Sequence, residues 1–156
     1  MSFTRVSPKP FREAIFMVKL DRDIIDVRIS KVRTAAIRLC RFKNMSLEEF
    51  TGNSDNLDIA ERNLEIAIEA MLDIGNHVIA VMGFEKPENY YDIFIILGKN
   101  NILQKDFAER IAPLAGLRNR IVHDYTTIDH ELILKNIKEK LPDFEEFSKQ
   151  ILGIIS

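Results

Sequence analysis

The chain has 156 residues, 46% of them hydrophobic and 29% charged, which reads as one soluble globular domain with a full core. Six Gly and five Pro speak against collagen-like, linker or turn-rich all-β architectures, and one Cys with three His excludes an internal disulfide and the usual zinc-finger spacings. The formal net charge of −2 disfavours a nucleic-acid partner, yet residues 1–43 carry 11 Lys/Arg against 4 Asp/Glu (net +7) and residues 44–156 carry 11 against 20 (net −9).

Ser7-Pro8 and Lys9-Pro10 prevent regular helix at the start, so residues 1–16 read as an extension or packed arm ahead of a domain over 17–156. That start lacks the apolar stretch of a signal peptide, and no apolar run approaches the roughly 18 residues of a membrane span, so a cytoplasmic protein is expected. From Asp21 to about Phe42, Ile25, Ile29, Val32, Ala36 and Leu39 repeat as one helical stripe. Arg28, Lys31 and Arg38 fall within roughly an 80° arc beside it, at about 100° per residue. Asn44 to Asp55 reads as a loop. A second helix is predicted from about Leu57 to Met82, along Ala60, Leu64, Ala67, Met71, Ile74, Val78 and Val81, with Gly83 as its terminating glycine. Gly75 inside it costs roughly 1 kcal/mol of helix propensity and implies close approach of another helix.

Pro87 opens a third predicted helix, from Glu88 to about Leu97, which Gly98 ends. A fourth starts near Leu103, carries Phe107, Ile111, Leu114 and Leu117, is kinked or restarted at Pro113, and ends around Val122 to Tyr125. Thr127 or Asp129 caps the last, from about His130 to Leu152, which Pro142 should kink or split. With no strand alternation longer than four residues, the fold class is all-α: an antiparallel bundle of about five helices.

The chemistry concentrates in Leu117-Arg118-Asn119-Arg120-Ile121-Val122-His123-Asp124-Tyr125, where two Arg, an Asn, a His, an Asp and a Tyr close an otherwise apolar helix. Read blandly, both Arg are solvated and His123 only complements the helix dipole. Arg118-x-x-x-x-His123-x-Tyr125 resembles the RX4HXY motif of the HEPN superfamily, in its HepT (DUF86) branch, where a polar residue such as Asn119 follows the Arg. The segment from Arg62 to His77 resembles the same group's other recurring block, so the likeness runs from about Met17 to the C-terminus.

The resemblance implies a metal-independent endoribonuclease, usually the toxin of a toxin–antitoxin pair, needing no cofactor. Cleavage of RNA by its own 2′-OH requires a base, an acid and positive charge for the phosphorane. His123 would move protons, since an imidazole titrates near working pH. Arg118 would hold phosphate oxygens, and Asn119 would orient either the His or the phosphate. Arg118 and His123 lie five residues apart, about 140° around a regular helix. Either the helix ends before His123, or a two-fold homodimer brings two motifs around one cleft, as the family implies. The likeness further implies that a minimal nucleotidyltransferase (MNT) antitoxin AMPylates Tyr125; otherwise that residue is a half-buried Tyr capping a neighbouring helix. A regulatory, non-catalytic partner of such a nucleotidyltransferase is the alternative function.

Arg120, Arg28, Lys31 and Arg38 are weaker candidates for holding RNA backbone, against a plain solvated basic face. Glu65, Glu69 and Asp73 step along one helix without the Glu-x-x-His spacing of a di-metal bundle, so no metal site is expected; Glu69 or Asp73 is a candidate partner for a motif Arg. Tyr90-Tyr91 read as core or interface packing, with base stacking as the alternative. Cys40 reads as a buried small hydrophobe, and His77 and His130 as structural or exposed.

Overall fold

The computed structural model describes residues 21–123 and 129–155. These form α1 (Arg22–Leu39) with a 3-10 turn (Cys40–Phe42), α2 (Leu47–Thr51), α3 (Asp55–Met82), α4 (Tyr90–Lys99), α5 (Lys105–Ile111), α6 (Leu114–His123) and α7 (His130–Ile155). Every element among the described residues is helical, as expected. The proposed extension over residues 1–16 lies outside them.

Asp21 caps α1 by accepting the Ile24 N–H at 3.1 Å, and Ile25, Ile29, Val32, Ala35 and Leu39 are buried. Ala35 takes the inward place expected for Ala36. The stretch expected as a loop contains α2. Its Ser46 and Glu49 form a reciprocal capping box, a local signature stronger than the polar character of the segment.

α3 is the central helix, packed against α1, α4, α6 and α7. Its expected stripe is buried as far as Val78, and Ala70, Leu72, Gly75 and Ile79 are buried beside it. Only one polar ridge of α3 is left towards solvent. Gly83 ends the helix at φ 69°, a left-handed conformation that suits glycine. A Cβ on Gly75 would run into Ile93 Cγ2 of α4, the close approach that the mid-helix glycine implied.

Gly98 does not end α4, which continues through Lys99. A Cβ there would lie 2.7 Å from that of Ala108, so this glycine seats α4 against α5. Pro113 breaks the expected fourth helix into α5 and α6, consistent with its missing N–H. Pro142, by contrast, sits inside an unsplit α7. Asp129 begins that helix: its carboxylate accepts the Glu131 N–H at 2.9 Å and its carbonyl the Ile133 N–H at 3.2 Å. The other expected cap, Thr127, lies outside the described residues. Phe42 meets Phe50, and Phe94 meets Phe147, edge to face in the core between α1, α3, α4 and α7. No helix among the described residues is long and apolar enough to cross a membrane.

Candidate active site

The exposed ridge of α3 carries Arg62, Glu65, Glu69, Asp73 and Asn76, spaced by three or four so that they share one face. Each acid on it is matched by an arginine. Arg62 pairs with Glu65 at 3.5 Å along the helix, Arg118 of α6 with Glu69 at 3.0 Å, and Arg28 of α1 with Asp73 at 3.5 Å. No group of three His, Cys, Asp or Glu side chains among the described residues is placed to hold a metal.

Arg118 is the most enclosed of these arginines, its side chain 14% exposed. Its Nε and Nη2 donate to Glu69 Oε2 at 3.2 and 3.0 Å, and its Nη1 donates to Asn119 Oδ1 at 3.2 Å. The guanidinium carbon stands 4.9 Å from the ring centroid of Tyr90, close enough for a cation–π contact. A guanidinium has five N–H donors. The described residues engage three of them here, one on each nitrogen. One N–H on each terminal nitrogen is left, a fork suited to two phosphate oxygens. The arginine is thus held in one orientation before any anion arrives, beside a small cleft lined by Glu69, Leu72, Asp73, Asn76 and Tyr90.

Each contact has a local cause. Asn89 caps α4 by accepting the Asp92 N–H at 2.9 Å, which makes Tyr90 the first helical residue. Leu114, Ala115 and Leu117 bury α6 against the core, which brings the next residue, Arg118, over the α3 ridge. Tyr90 and Tyr91 are both exposed, so of the expected core or interface packing the core alternative does not hold, and Tyr90 forms one wall of the cleft. The pairing of Glu69 with a motif arginine follows expectation. Asp73 takes Arg28 instead.

His123 is the last residue of α6 and is exposed, as are Asn119 and Arg120. The helix runs unbroken from Arg118 to His123, so the first way of converging them, an earlier helix end, does not occur. Within one copy the motif arginine faces the α3 ridge and the histidine faces solvent. Lys31 and Arg38 are exposed and line a separate groove with Arg62. Tyr125 lies outside the described residues. Cys40 is exposed, not buried. His77 is structural, its Nε2 accepting the Asp21 N–H at 3.2 Å, and His130 packs its ring edge to face on Phe50.

Comparison with known proteins places this geometry in context. The family model described as Ribonuclease HepT-like matches residues 32–151. A protein of Aphanizomenon flos-aquae named tRNA nuclease HepT is 32% identical over 135 residues, covering 86% of this chain and 92% of that protein. A protein of Shewanella oneidensis named mRNA nuclease HepT is 27% identical over 124 residues, covering 78% and 93%. A solved structure of the tri-AMPylated Shewanella oneidensis HEPN toxin in complex with MNT antitoxin superposes with a TM-score of 0.76 at 26% identity, covering 85% of this chain and 99% of that one.

Proposed function

The chain belongs to the HepT-like ribonuclease family, and we propose that it is a metal-independent endoribonuclease toxin, held inactive by a nucleotidyltransferase antitoxin that AMPylates Tyr125. The observation that carries the reading is the fixed Arg118, which lines a partly enclosed cleft and keeps two N–H groups free of the described residues. That is the preorganised donor fork that a phosphorane requires.

In this reading His123 is the proton-transfer group. It takes the proton from the 2′-OH as that oxygen attacks phosphorus, or delivers one to the departing 5′-oxygen, leaving a 2′,3′-cyclic phosphate. Asn119 is the link that orients Arg118. Since one α6 helix turns Arg118 and His123 about 140° apart, the working site is composed by two copies about a two-fold axis, each supplying what the other turns away. AMP groups on Tyr125, two residues beyond His123, would add negative charge where RNA phosphates must enter. The structure of a tri-AMPylated Shewanella oneidensis HEPN toxin in complex with MNT antitoxin supports control by AMPylation.

The test is cleavage of a labelled RNA by purified, unmodified protein in the presence of a chelator. Products ending in a cyclic phosphate, and no cleavage where the scissile nucleotide is 2′-deoxy, are expected. Co-expression with the nucleotidyltransferase should add AMP mass that Tyr125→Phe abolishes. Chelator-sensitive cleavage, or cleavage of the 2′-deoxy substrate, would refute the mechanism.

A further inference from the structure

The α1–α3 seam holds a second group of cations that the motif does not use. Lys31 and Arg38 of α1 and Arg62 of α3 line one groove of about 330 Å³ with the hydroxyl residues Ser30 and Thr34, over Ala35 and Ile66. The antiparallel run of α1 along α3 explains the convergence. Arg28 lies opposite Asp73 near one end of the seam, and Arg38 shares the groove with Arg62 nearer the other. No ion pair ties Lys31 or Arg38 to a carboxylate among the described residues, and Arg62 has only its loose 3.5 Å contact with Glu65. The other two acids of the ridge, Glu69 and Asp73, are already paired with Arg118 and Arg28. Three cations therefore face one groove with a single weakly held acid among them. Like charges gathered this way repel one another until an anion enters.

We propose that this groove is a phosphodiester-binding subsite that holds the RNA strand beyond the scissile phosphate. The inference rests on the ribonuclease reading above and extends it. Arg62 lies seven residues from Glu69, so at 1.5 Å per residue the groove sits roughly 10 Å along α3 from the carboxylate that holds Arg118. A single strand that leaves the Arg118 cleft along the α3 ridge would pass over it. Lys31 and Arg38 supply long-range attraction, Arg62 supplies a planar fork, and Ser30 and Thr34 supply neutral donors. Backbone contacts of this kind carry no base identity, so the subsite adds affinity for longer RNA and leaves sequence choice to the cleft.

The test compares wild-type protein with Lys31→Gln/Arg38→Gln/Arg62→Gln. All three residues are exposed, so the variant should fold, which an unchanged thermal midpoint and oligomeric state would verify. Two substrates are used, a dinucleotide and a 20-nucleotide single strand, together with a non-cleavable 2′-O-methyl version of the longer one. The variant should raise KM for the long RNA about tenfold or more and leave kcat and dinucleotide cleavage within about twofold. The slope of log affinity against log salt should fall by about 0.7 for each phosphate contact removed. Unchanged KM and salt slope with cleavage intact would overturn the subsite alone. Unchanged RNA affinity with lost binding to the nucleotidyltransferase would assign the groove to that protein and overturn it likewise. If wild-type protein binds the 2′-O-methyl strand but cleaves nothing, and the variant loses that binding, the subsite stands and the ribonuclease reading falls. A wild-type protein that neither binds nor cleaves RNA overturns both.

Discussion

Arg118 is fixed from three sides: Glu69 accepts from two of its nitrogens, Asn119 from a third, and Tyr90 covers its face. Removing the guanidinium by Arg118→Ala should lower kcat by about 10²–10³-fold, the scale of one lost transition-state donor. His123→Ala should cost about 10²–10⁴-fold, the scale of general acid–base catalysis, without loss of stability because the side chain is exposed. Glu69 accepts two hydrogen bonds from Arg118, and in the proposed reading it acts by positioning that arginine. Glu69→Ala should therefore lower kcat more than it changes KM, by up to about 10²-fold. Glu69→Gln keeps an acceptor oxygen and should recover part of the loss; equal activity of all three proteins in steady-state assays would remove Glu69 from the machinery. The motif could be picked out in the sequence because its spacing is local, and the pairing of Glu69 with its arginine could be expected from the step of four along α3. Tyr90 could not, because its contact with Arg118 joins two helices 28 positions apart and depends on where Asn89 starts α4.

At the scale of elements, the glycines separate packing from propensity. Gly75→Ala should destabilise the fold by about 1–3 kcal/mol in urea titration, since the added methyl meets Ile93 and overpacks the α3–α4 contact. Gly153→Ala meets nothing within 4 Å and should be neutral or stabilising by up to about 1 kcal/mol. If the two variants behave alike, the close approach is wrong. The α1–α7 contact carries a bidentate pair, Arg33 Nε and Nη2 to the Glu145 carboxylate at 3.0 and 2.8 Å. The hydrogen bonds from Arg33 hold the Glu145 carboxyl below the usual carboxylate range. Its stabilisation is therefore fully present above the ordinary glutamate range and is lost as pH falls through the depressed folded value. Both side chains are more than a third exposed, so the effect is small, about 0.2–1 kcal/mol. Glu145→Gln should be less stable than wild type at pH 7, and the gap should close as pH falls through the depressed carboxyl range; a gap that widens on acidification would contradict the assignment. The long stripes of α1, α3 and α7 were readable because 3.6-residue periodicity accumulates over many turns. α2 was not, because five residues carry little periodicity and its identity lay in the Ser46–Glu49 capping box.

Across the whole molecule, the near-neutral charge divides into useful parts. The basic N-terminal stretch supplies Arg28, Lys31 and Arg38 to one side of the α3 ridge, while α6 supplies Arg118 from the acidic remainder. The all-α class could be read from the chain, but the division of the motif between a cleft-facing arginine and a solvent-facing histidine required the orientation of α6 against α3. That division makes the central claim, a site shared by two copies, directly measurable. Arg118→Ala and His123→Ala proteins, each inactive alone, should regain activity when subunits are exchanged, because a mixed dimer keeps one unmutated Arg118 facing one unmutated His123. Random pairing leaves about half of the dimers mixed, each with one of two arrangements intact, so recovery of about a quarter of wild-type RNA cleavage is expected. A mixture that exchanges subunits and stays as inactive as either parent would contradict the shared site.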